Sequence, residues 1–455
     1  MSTYPSIRSK SHQTGQALIY GLFVLTGGLV ALFFLFNTGQ LTSEKTKLVN
    51  TADAVAYSAG VMHARALNFD AYTNRALMAN EVMVAQMVSL SSFLQYAQGH
   101  VDAVPPFDCY TASSVPAVFA LMKYVSLCYI LSYGYGALAV EYANEAVEAV
   151  APRIKAASEL AKKNLQLAQN SMYLAFLPAR ANLMQEVANA NYQNDGMIEV
   201  DSIGNSILLT DNYISLDGEQ FIALKSRDDR TRFKEAELTA AWKDEFVKDR
   251  SWSDQSPWPC VIPRGLAERS GGTDLVGFDE WKAHDSASFR IESWHFKFFN
   301  SGCKSDSEYS LGSGSQSAKK DATGGSDWTY SGVPSFYELS VKALAYGPDN
   351  PDAEKKDPRL KFAIRLTRAN TQEKTSSGRS AVRPSGKMDI YQGKEAKNLM
   401  AAVATSEVFF ERYEARGDGF KELASLFNPY WQVRLIANSA NDVATAIARQ
   451  TESTP

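Results

Sequence analysis

Histidine is scarce in this 455-residue chain, with five in all: His12, His63, His100, His284 and His295. None stands in a His-Glu-x-x-His string, and neither a Gly-x-Ser-x-Gly elbow nor a glycine-rich phosphate loop opens a helix. Metalloprotease, serine-hydrolase and nucleotide-dependent chemistry therefore have no sequence support; neither an enzyme nor a cofactor is expected. A surplus of positive charge is missing too. Lys and Arg number 46 against 50 Asp and Glu, a formal net charge of −4, which gives no basis for binding nucleic acid. Cysteine is nearly absent: Cys109, Cys128, Cys260 and Cys303. The number is even and all four lie well past the N-terminal region, the pattern of two disulfides in an oxidising compartment. Four cysteines allow three pairings; Cys260–Cys303 and Cys109–Cys128 close the shortest loops. A zinc site from Cys260, His284, His295 and Cys303 would lack the close ligand pairs of structural zinc, so no metal is expected.

Against these absences stands one long apolar run. Residues 17–36 read ALIYGLFVLTGGLVALFFLF, 20 positions without a charge. As a helix this spans roughly 30 Å, the hydrocarbon thickness of a bilayer. It is longer than a signal-peptide core and runs into Asn37-Thr38-Gly39-Gln40, a poor cleavage site, so a retained transmembrane helix is expected. Arg8 and Lys10 before it and Lys45 and Lys47 after it nearly balance. The short polar leader, residues 1–16, and the downstream cysteines both favour a cytoplasmic N-terminus with the bulk outside. Gly27, Gly28 and Ala31 give the span a small-residue face that a second helix can approach closely.

Residues 41–98 contain no proline. Leu41, Leu48, Val55 and Met62 recur every seven residues with Ala52, Ala59 and Ala66 beside them, a narrow apolar seam of the kind that packs along one neighbouring helix. The expectation is a long helical stalk leaving the membrane, with this seam facing a helix of another chain.

Two blocks carry a family resemblance: Gly15-Gln16-Ala17-Leu18 before the apolar run, and Leu48-Val49-Asn50-Thr51-Ala52-Asp53-Ala54 after it. Together they resemble the N-terminal region of TadG-like proteins of the bacterial tight-adherence, or Flp-type, pilus assembly systems. The resemblance covers roughly residues 8–70, and a fainter one lies in Ala424-Ser425-Leu426-Phe427-Asn428-Pro429-Tyr430-Trp431-Gln432. It implies an inner-membrane protein whose partners are other single-span pilin-like or pilus-assembly proteins. Prepilin-type processing at Gly15 would put Tyr20, not the usual glutamate, at the fifth mature position, so an uncleaved anchor is expected. Some TadG-like proteins carry a von Willebrand-type domain with an Asp-x-Ser-x-Ser metal site. The nearest string here, Asp327-Trp328-Thr329-Tyr330-Ser331, follows Gly324-Gly325-Ser326 and reads as loop.

Further along, residues 113–192 read as helical. The apolar stretch 125–140 is short for a second span and reads as a buried helix. After Gly196 short apolar runs and Asp-Gly turns mark strands within 197–224, 289–299 and 360–366, the last alternating with period two. Residues 305–332, 347–357 and 371–387 read as loops, and 395–411 and 433–449 as helices. The fold class is α+β, divided into a leader (1–16), a transmembrane helix (17–36), a helical stalk and helical region (37–195) and a mixed extracytoplasmic domain (196–455). Three functions fit: a structural or minor-pilin-like assembly component, a membrane-tethered module binding a glycan or protein, and an envelope hydrolase without a recognisable motif.

Overall fold

The computed structural model describes residues 16–103, 134–201, 210–213, 220–297, 301–322, 327–343, 357–369, 399–419 and 422–452. Its spine is α1, Gln16–Ala103, a single 88-residue helix that at 1.5 Å per residue is about 130 Å long. With no proline to interrupt it, the helix passes Asn68 and Asn80 without a break. Asn80 returns its amide to the Ala76 carbonyl at 2.8 Å, and Asn68 serves a strand instead, as described below.

The second helix, α2 (Gly134–Asn191), lies antiparallel along α1: Lys162 reaches Glu81, Gln169 reaches Asn74 and Arg180 reaches His63. Residues 113–133 of the expected helical region lie outside the described residues. The sheets follow one another along α1. Nearest the apolar N-terminal end of α1 is a five-stranded antiparallel sheet in the order β1 (Glu199–Val200), β10 (Leu360–Ala369), β11 (Leu399–Phe410), β12 (Trp431–Ile436), with β2 (Thr210–Asp211) also paired to β10. Next comes the two-stranded pair of β3 (Ile222–Lys225) and β9 (Phe336–Leu339). Farthest out lies a second five-stranded sheet: β4 (Trp252–Gln255), β5 (Arg264–Val276), β6 (Glu280–His295), β7 (Gly302–Lys319) and β8 (Trp328–Thr329). Helix α3 (Thr231–Ala241) covers the third core region, and α4 (Glu245–Lys248) precedes β4. The chain's last helix is α5, Ala440–Glu452, whose Asp442 amide is capped by Ser439 Oγ at 3.0 Å. The core is a string of clusters, each threaded by its own stretch of α1: Leu48 to Ala59, Ala64 to Leu67, Leu77 to Val88, and Tyr96.

Three expectations need correction. Residues 305–332 are not a loop, since most of them form β7 and β8. The glycine and serine that suggested a loop are what a strand needs when it lies almost on the helix backbone. A Cβ on Gly312, whose φ is +111°, would stand 2.6 Å from the His100 nitrogen, and one on Gly314 would run into the Ser92 carbonyl and the Tyr96 amide. Residues 399–410 of the expected helix 395–411 are strand β11. Its alanines are good helix formers, but they sit where the sheet closes on α1, with Gly60 directly against Ser406 and Val433; tertiary packing overrides propensity. The helix expected at 433–449 begins as β12 and becomes α5 only after Ser439. The alternating segment at 360–366 is strand, within β10, and the three short strands β1 to β3 fall inside 197–225.

Candidate functional site

The element that sets the character of this protein is α1, and its surroundings change from its N-terminal end outward. Along residues 17–36 the side chains are open: Leu18 is 78% exposed and Leu35 69%. Among the described residues this is the one helix long and apolar enough to cross a membrane. Nothing stands within 4 Å of a Cβ built on Gly27 or Gly28, and Ala31 is exposed. The small-residue face is thus open to lipid or to another helix. Gly15, Cys109 and Cys128 lie outside the described residues.

The seam comes next. Leu48 and Val55 are 0% exposed; with Ala52, Ala56 and Ala59 they pack on Met184 and Ala188 of α2, on Tyr192 just after it, and on Phe362, Ile364 and Ala404 of the first sheet. Leu41 borders that cluster and Met62 the next one. The expectation of a partner chain along Leu41, Leu48, Val55 and Met62 is therefore corrected: the stripe is real, and the chain's own sheet and second helix fill it. Seven-residue spacing keeps one stripe facing one neighbour whether or not that neighbour belongs to the same chain.

Polar groups lock α1 at intervals. Just past the apolar N-terminal run the Arg368 side chain, 1% exposed, donates to Glu44 at 2.7 Å and to the Asp195 carbonyl at 2.7 Å, with its guanidinium 4.6 Å above the Tyr192 ring. Lys47 pairs with Asp195 and lies 4.2 Å above the same ring. One level further, Arg180 holds Asp211 in a two-pronged pair at 2.7 and 3.3 Å and donates to His63 Nε2 at 3.1 Å. Burial, then the Arg180 charge, hold the His63 imidazole well below its ordinary pKa. Asn68 donates to the Trp431 carbonyl and accepts from the Trp431 amide, both at 3.0 Å, so a helix side chain completes the hydrogen bonding of a strand residue. Asn74 donates to the carbonyls of Tyr337 and Leu426 at 2.8 and 2.7 Å.

Between these stands Asp70, fully buried, with neither carboxyl oxygen hydrogen-bonded. Burial pushes its pKa up to about 8. Beyond it Glu81 accepts from Lys162 at 2.7 Å, from the Trp281 indole at 3.2 Å and from the Tyr330 hydroxyl. Burial and the adjacent Glu81 push the Glu237 carboxyl well above the carboxylate range. Near the outer end Asp285 accepts from Ser92 at 2.7 Å and from Arg250 twice at 2.8 Å.

Asp327-Trp328-Thr329 is not loop as expected: Trp328 and Thr329 form β8, and Asp327 is tied to Lys319 at 2.5 Å. Cys260 and Cys303 are joined in a disulfide with Cα atoms 5.8 Å apart. His295 pairs with Asp306, and among the described residues no three His, Cys, Asp or Glu side chains gather as metal ligands. These polar contacts hold one continuous helix against a large body at several heights. Counting by sevens from Ala56 gives His63, Asp70, Leu77, Val84 and Ser91, all buried. Three polar side chains, His63, Asp70 and Ser91, thus share a buried seven-residue stripe with Leu77 and Val84, a signal that reading the apolar residues alone passes over.

Residues 15–66 match the family described as putative Flp pilus-assembly TadE/G-like. No curated protein matches the chain, and no solved structure does.

Proposed function

We propose that this chain is a membrane-anchored structural or assembly component, minor-pilin-like, of a Tad/Flp-type pilus or a related envelope machine. The observation that carries this reading is that residues 16–66 of the TadE/G-like segment, which spans 15–66, form one unbroken stretch of α1 that runs from the exposed apolar span through the Arg368 clamp into the first core cluster. A helix shared by anchor and core transmits force and position between bilayer and body without a hinge. From Phe36 to Ala103 it reaches about 100 Å. The Cys260–Cys303 disulfide supports an extracytoplasmic body, with the N-terminus in the cytoplasm. The partners are other single-span pilin-like or assembly proteins together with the bilayer, and the role is non-catalytic.

Purification of the full chain from native membranes tests this. Other single-span envelope proteins should come with it, and deletion of residues 1–40 should abolish that association. Capture of a glycan or protein ligand that survives the deletion, with no membrane partner recovered, would instead establish a tethered binding module.

A further inference from the structure

Helix α2 is turned inside out. Toward α1 it buries Ser158, Lys162, Gln169 and Arg180, at 1, 2, 1 and 6% exposure. Away from the body it presents Leu160, Leu167 and Leu174, at 60, 54 and 75%. The three leucines are seven residues apart, and an alanine follows each: Ala161, Ala168 and Ala175. Midway between the first two stands an exposed Asn164, and Ser171 takes the same place one heptad later. With the leucines at d, the positions a are Asn164 and Ser171, e is alanine throughout, and the buried Lys162, Gln169 and Phe176 fall at f, opposite the seam. A surface helix normally shows the reverse order, and large apolar side chains in a row on an outer face mark a contact surface.

We propose that this outward stripe is a homotypic interface: α2 of one copy pairs with α2 of a second copy, parallel and in register. The orientation follows from the proposed membrane anchoring, on which this inference rests. Two copies held in one bilayer by residues 17–36 stand parallel, with their α2 helices at the same height. A stripe at one height then meets its own image, Leu167 against Leu167 and Asn164 against Asn164, about a twofold axis along the membrane normal. A single asparagine at an a position favours in-register pairing. The charges agree with this. In register the exposed Lys163, at g, faces Ala168 of the second copy, and no ionised side chain on the seam meets its like. The area sets the regime. Fifteen residues of helix make a strip of about 20 by 10 Å, far short of the roughly 800 Å² per partner of a stable dimer in free solution. Such a seam needs the raised effective concentration that two anchors in one membrane supply.

Oxidative crosslinking of full-chain variants that each carry one added cysteine, scored in native membranes against the parent chain with its own four cysteines, tests the pairing. Leu160→Cys, Asn164→Cys, Leu167→Cys and Leu174→Cys should give a product of twice the chain mass. The exposed but off-seam Ala179→Cys and Glu186→Cys should give about tenfold less. Adding Leu167→Glu and Leu174→Glu to Leu160→Cys should remove the product while leaving the melting temperature unchanged, because these side chains touch no core. Equal yields at all positions would overturn the inference, as would a crosslinked product of any mass other than twice the chain. Recovery of other single-span proteins is scored separately. Loss of seam crosslinking with that recovery intact sinks the homotypic pairing alone, and seam crosslinking without it sinks the assembly role alone.

Discussion

Lys162 of α2 meets Glu81 of α1 at 2.7 Å with both side chains sealed from water, 2 and 0% exposed. Burial works against the ammonium charge, yet Glu81 and Glu159 hold the Lys162 pKa above its ordinary value. The indole of Trp281 and the hydroxyl of Tyr330 complete the shell around Glu81. So α1, α2, β6 and the segment after β8, with Glu237 of α3 alongside, meet at one carboxyl group. A buried ion pair of this kind contributes little over an apolar substitute, but removing one partner strands the other.

Lys162→Ala should therefore lower unfolding stability by about 3–5 kcal/mol. Leu160→Ala, two residues away but facing outward, should change it by less than about 0.5 kcal/mol in a detergent-solubilised monomer. Denaturant unfolding of the two variants side by side checks the polarity of α2; equal losses would mean that the leucines are core.

On α1 the opposite holds. Leu48→Glu would put an unpaired carboxylate among Met184, Ala188 and Ile364, at a cost of several kcal/mol. The expected outcome is a misfolded, protease-sensitive chain. A variant that stays folded and fails only in association would restore the intermolecular seam that the sequence suggested.

Close approach of strand and helix makes a third prediction. Gly314→Val should destabilise by about 1–3 kcal/mol or more, because its side chain would run into backbone of α1 rather than into a movable side chain. Gly302→Val, on the same strand with open space around it, should be nearly neutral. Thermal melts of the pair give the comparison directly.

These residues also explain what could be read from the sequence. The apolar run at 17–36 and the absence of proline from 41–98 announced α1, because length and a missing breaker are local properties. The alternation at 360–366 announced β10 for the same reason. Strands β7 and β11 stayed hidden since their glycine, serine and alanine answer to a helix backbone pressed against them, a requirement set by residues far away in the chain. The seam at Leu48 and Val55 was legible as a seam but not as to its occupant. Helix α2 was legible as helix within 113–192; that its leucines point outward follows from Lys162, Gln169 and Arg180 finding partners on α1 and β2.

The disulfide joins residues 43 apart. In the chain-entropy account, opening such a loop costs about 4 kcal/mol. Cys303→Ser should lower stability by up to that amount, and peptide mapping of the unreduced wild-type chain should recover Cys260 and Cys303 in one linked pair. Free thiols at both positions in protein taken directly from the envelope would refute the extracytoplasmic location of the body.

Buried His63 and Asp70, one heptad apart on α1, give the stability of the chain an unusual pH dependence. Asp70 holds its proton up to about pH 8 in the folded chain but releases it near 3.8 once unfolded. Between those values the unfolded state binds fewer protons, so this residue makes stability fall as pH rises, by at most about 1.4 kcal/mol per unit. His63 acts with the opposite sign. Its folded pKa lies well below 6.5, so below 6.5 the unfolded chain takes up a proton that the native chain refuses, and stability falls as pH falls. Under acid conditions the two slopes oppose each other; from about 6.5 to 8 His63 drops out and Asp70 acts, with the buried Glu237, whose pKa is also raised, contributing in the same direction. Asp70→Asn should accordingly raise the melting temperature most at pH 8 and progressively less toward pH 6.5, flattening the profile across that window. His63→Phe should leave that window unchanged and alter the curve only below 6.5. Melting curves of the wild type and both variants, taken at half-unit steps from pH 5 to 8.5, separate the two contributions. An Asp70→Asn profile parallel to the wild type between 6.5 and 8 would show that the carboxyl is already ionised there, and that a partner must then hold it.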